Sequence, residues 1–197
     1  AMQRTALIEA LNDKIAQLEA AQAELVQKER LERELELARQ VQQSMLPRVF
    51  PLVPGYAFAA RAVPARQVGG DFYDVILLDA DQFGVVIADV SDKGMPAALF
   101  MALTRSLLLA EARRERSPRA VLANVHRLLG ELGESNMFVT MFYGVVDGRA
   151  RRMTYTRAGH DRPLLLRDGG VESLPGEGAF LGLLEAAELS LTEEEID

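Results

Sequence analysis

Two short acidic segments carry the residues of this 197-residue chain that are best suited to chemistry. The first is Gly69-Gly-Asp-Phe-Tyr-Asp74, at the expected start of a strand, and the second is Asp89-Val-Ser-Asp-Lys-Gly94, at the expected end of the next strand. A hairpin brings the start of one strand beside the end of the other, so we expect Asp71 and Asp89 to converge. Converging carboxylates suit a hard divalent ion, Mg²⁺ or Mn²⁺.

Each aspartate also has a purely structural interpretation, in which it caps a turn or a helix. Asp74 and Asp92 fit that interpretation as well as they fit a site. For Asp71 and Asp89 the residues favour the metal, because each follows an apolar or glycine-rich approach into a turn. The two glycines before Asp71 would let the backbone approach an ion closely.

The composition excludes several classes of protein. The chain has no Cys, which rules out disulfides, thiolate–metal sites and a cysteine nucleophile. Its two histidines, His126 and His160, are too few for a His-rich zinc site, and we expect His126 to lie within a helix, either packed or on the surface. A net charge of −7 argues against a nucleic-acid-binding surface. No apolar run reaches the roughly 20 residues of a membrane span, and a cytoplasmic location fits the lack of Cys.

Residues 5–45 contain no Gly or Pro and consist mainly of strong helix formers, so they predict one long helix. Apolar residues three and four apart form one stripe and then, after a phase slip, a second. These residues are Ile8, Leu11, Ile15, Leu18 and Leu25, then Leu31, Leu35, Ala38, Val41 and Met45. We predict that residues 1–46 are a helical linker forming a parallel dimeric coiled coil; the alternative is a solvated helix that caps the next domain.

Proline residues from Pro47 onward end the helix and open an α+β domain over residues 47–197. A strand is expected at 56–63, and three hairpins follow. The hairpins pair 74–79 with 83–89, 137–146 with 151–157, and 164–167 with 171–174. Helices are expected at 96–113 and 118–132, the second with Ser117 as its N-cap. Strands grouped in hairpins predict antiparallel sheets with helices packed on their faces.

Four motifs, in order, resemble those of the SpoIIE/RsbU-like branch of PPM-type phosphatases. They are Gly69-Gly-Asp-Phe-Tyr-Asp74, Ile87-Ala-Asp-Val-Ser-Asp-Lys-Gly94, Phe138-Val-Thr140 and Ala158-Gly-His160. Residues 37–47 are also similar to the segment that this branch places between its sensor and catalytic domains. Each motif alone is weak, but four in order at sensible spacing are specific, and the resemblance runs from about residue 37 to the end.

The resemblance implies a β-sandwich of antiparallel sheets flanked by helices, with two Mg²⁺ or Mn²⁺ ions at one end. Asp71 would ligate a metal partly through water, Asp89 would bridge both ions, and the backbone carbonyl of Val90 would complete one of them. The ions would bind the substrate phosphate and lower the pKa of a bridging water, whose hydroxide attacks phosphorus. Supporting or substrate-contacting roles fall to Gly70, Asp74, Thr140 and His160.

The resemblance also implies partners. This branch dephosphorylates phosphoserine or phosphothreonine on STAS-domain anti-sigma factor antagonists and carries an upstream sensor domain in cis. It continues with a Thr-Asp-Gly type motif and a later Asp that supply further metal carboxylates, so we expect the domain to be incomplete at its C-terminal end. The acidic run at 191–197 is not expected to replace them. The alternatives are a non-catalytic (pseudophosphatase) partner-binding module and a phosphohydrolase for small molecules.

A regulatory hypothesis follows from the order of the predicted elements. The helix at 96–113 begins directly after the acidic turn, so a shift of that helix would move Asp89 and Val90. The N-terminal helix could impose such a shift through its end, at Met45 and Leu46, by docking on the two domain helices.

Overall fold

In the computed structural model, the structure describes residues 2–64, 66–132, 136–183 and 189–197, without the side chains of residues 2–10. The predicted stripe residue Ile8 therefore lies outside the described side chains. The chain divides into two compact units, Ala1–Val41 and Gln42–Asp197, and each is considered by itself.

The first unit is a single helix, as the sequence predicts. Helix α1 runs over Met2–Met45, so its last turn belongs to the second unit. Three ion pairs four residues apart, such as Arg30–Glu34 at 3.1 Å, lie on its surface and support the helix locally. Large apolar side chains of the first predicted stripe are 45–69% exposed: Leu11, Ile15, Leu18 and Leu25.

The second unit is built on a five-stranded antiparallel sheet with the order β1-β2-β3-β4-β7. Its strands are β1 (Phe72–Leu77), β2 (Gln82–Val90), β3 (Val139–Asp147), β4 (Arg152–Ala158) and, counting the hairpin β5–β6 given below, β7 (Glu194–Ile196). The first two predicted hairpins are therefore confirmed. Strand β7 was not predicted from the sequence; it pairs with β4 through only three residues.

Two helices, α2 (Met95–Ala112) and α3 (Pro118–Leu132), pack on one face of this sheet. The N-cap at Ser117 is confirmed, since its hydroxyl accepts the Ala120 N–H at 3.2 Å. By length and composition α2 is apolar enough to span a membrane. Its Ala97, Met101 and Leu108 side chains are fully buried in the domain core, however, as expected of the core helix of a folded domain.

The third hairpin forms a small second sheet from β5 (Leu164–Arg167) and β6 (Gly170–Ser173). Leu165 from this hairpin packs with a cluster on the large sheet that contains Phe142 and Tyr155, whose rings lie 5.4 Å apart. The predicted architecture of antiparallel sheets with flanking helices is therefore confirmed.

The predicted strand at 56–63 is wrong, because no strand occurs there. A strand requires a hydrogen-bonded neighbouring strand. In the described part of the chain, the segment pairs with no such neighbour, and the Tyr56 N–H donates locally to the Val53 carbonyl. The aromatic side chains are instead partly buried by ring packing. Tyr56 and Phe58 meet the Phe83 ring edge-to-face at 4.9 and 5.3 Å.

Candidate active site

Asp71 and Asp89 lie at the same end of the β1–β2 hairpin. The register pairs Phe72 with Ala88, so the residue before β1 and the residue after Ala88 are neighbours across the two strands. Both line a cavity of about 210 Å³, together with Arg61 and His160. The hairpin thus brings the two carboxylates together, as the sequence predicts; their action as metal ligands stays a prediction.

The two carboxylates make the cavity acidic, although Arg61 also lines its wall. Partial burial, a hydrogen bond to Asp89 and the charge of Asp89 together raise the pKa of Asp71 to about 6. Within the described residues, neither Asp71 nor Asp89 forms an ion pair. A bound cation would relieve this repulsion, which gives the pair an electrostatic reason to hold a metal.

Gly70 lets the Val90 carbonyl, a third oxygen donor, lie close to the loop that carries Asp71. A Cβ added at Gly70 would lie 2.8 Å from the Val90 Cβ and 2.9 Å from the Val90 carbonyl oxygen, so any larger residue would displace the end of β2. Two carboxylates and one carbonyl are donors that Mg²⁺ and Mn²⁺ accept, although they are fewer than the six or more ligands usual for such ions. In the described part of the chain, no cluster of three or more acidic or histidine side chains adds to them.

Thr140 connects Asp89 to His160. It is paired with Asp89 across β2 and β3, and its hydroxyl lies 3.4 Å from the Asp89 carbonyl oxygen and 2.9 Å from His160 Nδ1. Burial lowers the pKa of His160, against the opposing charges of Asp161 and Asp89, which favours the uncharged form of the ring. The Thr140 hydroxyl therefore contacts the imidazole at the wall of the acidic cavity.

Other residues singled out from the sequence lie elsewhere. Asp74 does not share the cavity of Asp71; its buried carboxylate contacts Arg105 on α2. Asp92 has a φ of 72° and shapes the turn before α2, as the structural interpretation expected. His126 is 2% exposed and accepts the Gly182 N–H at Nδ1, which places it in the core.

Gln42 contacts the Asp71 loop and was missed by sequence reasoning. Its side-chain amide donates to the Gly69 carbonyl at 2.7 Å and accepts the Gly69 N–H at 3.1 Å, and the residue is only 9% exposed. The neighbouring Val41, which the predicted stripe included, is 58% exposed. The spacing from Ala38 through residue 42 to Met45 was an available signal, because it places a polar side chain on an apolar seam.

The predicted regulatory residues lie at the same end of α1. Leu46 is partly buried and packs against the core cluster that includes Phe72, Val90 and Ala97, and Met45 is also partly buried. The last turn of α1 and the residues after it therefore contact the domain that carries the candidate site.

Comparisons with known proteins agree with this arrangement. The sequence pattern of the family described as Stage II sporulation protein E (SpoIIE) matches residues 79–197. Protein IcfG of Synechocystis is 33% identical in an alignment 192 positions long, which covers 83% of this chain and 30% of that protein. Phosphoserine phosphatase RsbU of Bacillus subtilis is 32% identical over 152 residues, which is 76% of this chain and 45% of that protein.

Among solved structures, the SiaA PP2C domain of Pseudomonas aeruginosa has the same fold. It aligns with a TM-score of 0.67 and 22% identity, covering 86% of this chain and 68% of the other. The chain spans less than half the length of the two curated relatives that it matches.

Proposed function

The chain belongs to the SpoIIE family of PPM-type phosphatases, and from this premise we propose that it hydrolyses phosphoserine or phosphothreonine on a partner protein. The observation that carries the proposal is the meeting of Asp71 and Asp89 in one cavity, where neither forms an ion pair among the described residues. The relative from Bacillus subtilis is a phosphoserine phosphatase, which supports the substrate class. The specific substrate that we propose is a phosphorylated STAS-domain protein.

The proposed cofactor is Mg²⁺ or Mn²⁺, held by Asp71, Asp89 and the Val90 carbonyl. When bound, such ions bind the phosphate and supply a hydroxide nucleophile at neutral pH. The residues of the chain have separate tasks. The carboxylates hold the cations, the Thr140 hydroxyl orients His160 toward the cavity, and Arg61 adds a positive charge at the cavity wall.

The test is Mn²⁺-dependent hydrolysis of a phosphoserine STAS protein by wild type and Asp89→Asn. Both are assayed in this chain and in a form extended by the Thr-Asp-Gly type motif and later Asp of the family. We expect hydrolysis by the extended wild type and its loss in Asp89→Asn. Hydrolysis of sugar phosphates or nucleotides, but not of the phosphoprotein, would indicate a small-molecule phosphohydrolase. Absence of both Mn²⁺ binding and hydrolysis would favour a non-catalytic partner-binding module.

We also propose that the N-terminal helix dimerises and regulates the site. The exposed apolar stripe of Leu11, Ile15 and Leu18 supports a coiled coil. The two hydrogen bonds from Gln42 to Gly69 support a link to the Asp71 loop, since a movement of the last helical turn would strain or break them. A parallel dimer places two such ends side by side.

Regulation is tested with Gln42→Leu, which removes both hydrogen bonds, beside Gln43→Leu, which changes an exposed neighbour. We expect Gln42→Leu to change Mn²⁺-dependent activity at least five-fold and Gln43→Leu to leave it unchanged. Leu46→Ala is expected to alter basal or stimulated activity as well. Unchanged activity of both Gln42→Leu and Leu46→Ala would rule out this route.

A further inference from the structure

Asp74 forms a buried ion pair with Arg105 that connects β1 to α2. The Asp74 side chain is 8% exposed and the Arg105 side chain 19% exposed. One Asp74 oxygen accepts a hydrogen bond from the Arg105 guanidinium, and the other accepts the Val75 N–H at 2.8 Å. Within the described residues, this is the only ion pair between α2 and β1.

A close approach just before β1 lies near the candidate site. A Cβ added at Gly70 would lie 3.4 Å from the Cβ of Ala97, in the first turn of α2, so the backbone at Gly70 passes close to the helix. From Ala97 to Arg105 the helix advances about 12 Å. The helix is therefore held at two separated points, beside Gly70 and at the ion pair with Asp74, and together they fix the position of α2 along β1.

This position matters for the two carboxylates because each is joined through the chain to one of the two elements. Asp71 directly precedes β1, and Asp89 and Val90 are joined to α2 by residues 91–94. A slide of α2 along β1 would move Val90 against Gly70, where there is no free space. The ion pair blocks such a slide at the far end of the contact.

The pair is poorly explained as a device for stability alone. Buried ion pairs lose much of their attraction to desolvation, and apolar replacements often match or exceed their stability. The Arg105 Nε atom is buried and has no hydrogen-bond partner among the described residues, so the guanidinium is not fully satisfied. What an ion pair adds over apolar packing is a fixed mutual position, since its energy depends strongly on geometry.

We propose that Asp74 and Arg105 are positioning residues that hold Asp71 and Asp89 at their mutual distance by fixing α2 against β1. The consequence for catalysis rests on the proposed function. The consequence for the geometry of the loop does not, because it concerns the metal-free domain.

The test replaces both partners at once, in Asp74→Leu/Arg105→Leu, so that no buried charge is left alone. We expect its melting temperature to stay close to wild type. We expect amide hydrogen exchange at residues 69–72 and 89–94 to be at least ten-fold faster in the metal-free protein, and Mn²⁺ affinity to be at least ten-fold weaker. Arg149→Gln, which breaks an exposed pair with Asp81 at the far end of the hairpin, is the matched control and should change neither.

Unchanged amide exchange in the double variant would overturn the proposal. If the double variant does not fold, Arg105→Lys takes its place, because it keeps the charge but loses the planar fork. Arg105→Lys must then show faster exchange at the same amides, and unchanged exchange overturns the proposal equally. A wild-type protein that neither binds Mn²⁺ nor hydrolyses the phosphoprotein contradicts the proposed function, while the exchange rates still decide the positioning role.

Discussion

Asp71 and Asp74 belong to one six-residue motif and have opposite environments. Asp71 lies in a cavity with a second carboxylate, and its pKa is raised to about 6. Asp74 lies on the other face of the strand, buried and paired with an arginine. Alternation of side chains along a strand produces this separation, because residues an odd number apart point to opposite faces.

The two environments affect the domain in different ways. Asp71 and Asp89 repel each other when both are ionised, and this destabilises the metal-free fold, as is common at functional sites. A buried, paired carboxylate fixes two elements relative to each other. Substitution within the Asp71–Asp89 pair should therefore raise the stability of the metal-free fold, whereas substitution of Asp74 should lower it. The following predictions use this difference.

The largest expected effect is on activity, in Asp89→Asn. Removal of this carboxylate takes away a proposed metal ligand and should lower Mn²⁺-dependent hydrolysis by about a thousand-fold or more. It also removes repulsion from Asp71, so the metal-free variant should melt at a higher temperature than wild type. Phosphate release and thermal melting without metal check the two parts; a melting temperature below wild type would contradict the electrostatic explanation.

The largest expected loss of stability is in Asp74→Asn. The asparagine can still accept the Val75 N–H, but Arg105 is left as an uncompensated buried charge, which costs about 3–5 kcal/mol. Denaturant unfolding of the metal-free domain measures this loss. A loss of unfolding free energy as small as that for breaking a surface ion pair would show that water already solvates the Arg105 charge.

The pH dependence of stability should report the environment of Asp71. The pKa of Asp71 is about 6 in the folded chain against an ordinary 3.8, so the folded state binds more protons between these values. Its contribution to stability is therefore present at low pH and lost as the pH rises through about 6. Melting temperatures of the metal-free domain from pH 4 to 7 should show this fall in wild type and a weaker one in Asp89→Asn.

The smallest expected effect is in Thr140→Val. Loss of the hydroxyl releases His160 Nδ1 without removing a proposed ligand, so kcat/KM should fall by roughly three- to ten-fold. Thr156→Val is the matched control, because the Thr156 hydroxyl is buried and finds no hydrogen-bond partner in the described part of the chain. That variant should keep its activity and be at least as stable as wild type; equal losses in both would mean that Thr140 acts only through packing.

Much of the fold could be predicted because its signals are local. Helix formers without Gly or Pro determine α1, and apolar runs separated by short turns determine the hairpins of β1–β2 and β3–β4. The convergence of Asp71 and Asp89 follows from the hairpin, since the register of two adjacent strands places them at the same end. The strand predicted at 56–63 failed because alternation describes a side-chain pattern and does not supply a neighbouring strand.

The sequence by itself therefore determined the helices, the hairpins and the meeting of two carboxylates, all of which depend on residues close along the chain. Only the tertiary structure decided that Asp74 pairs with Arg105, 31 residues away, and that Gln42 binds Gly69, 27 residues away. Nothing in the residues near Asp74 distinguishes a metal ligand from half of an ion pair. That distinction depends on which charges packing brings to each face of the strand, and packing is a property of the whole domain.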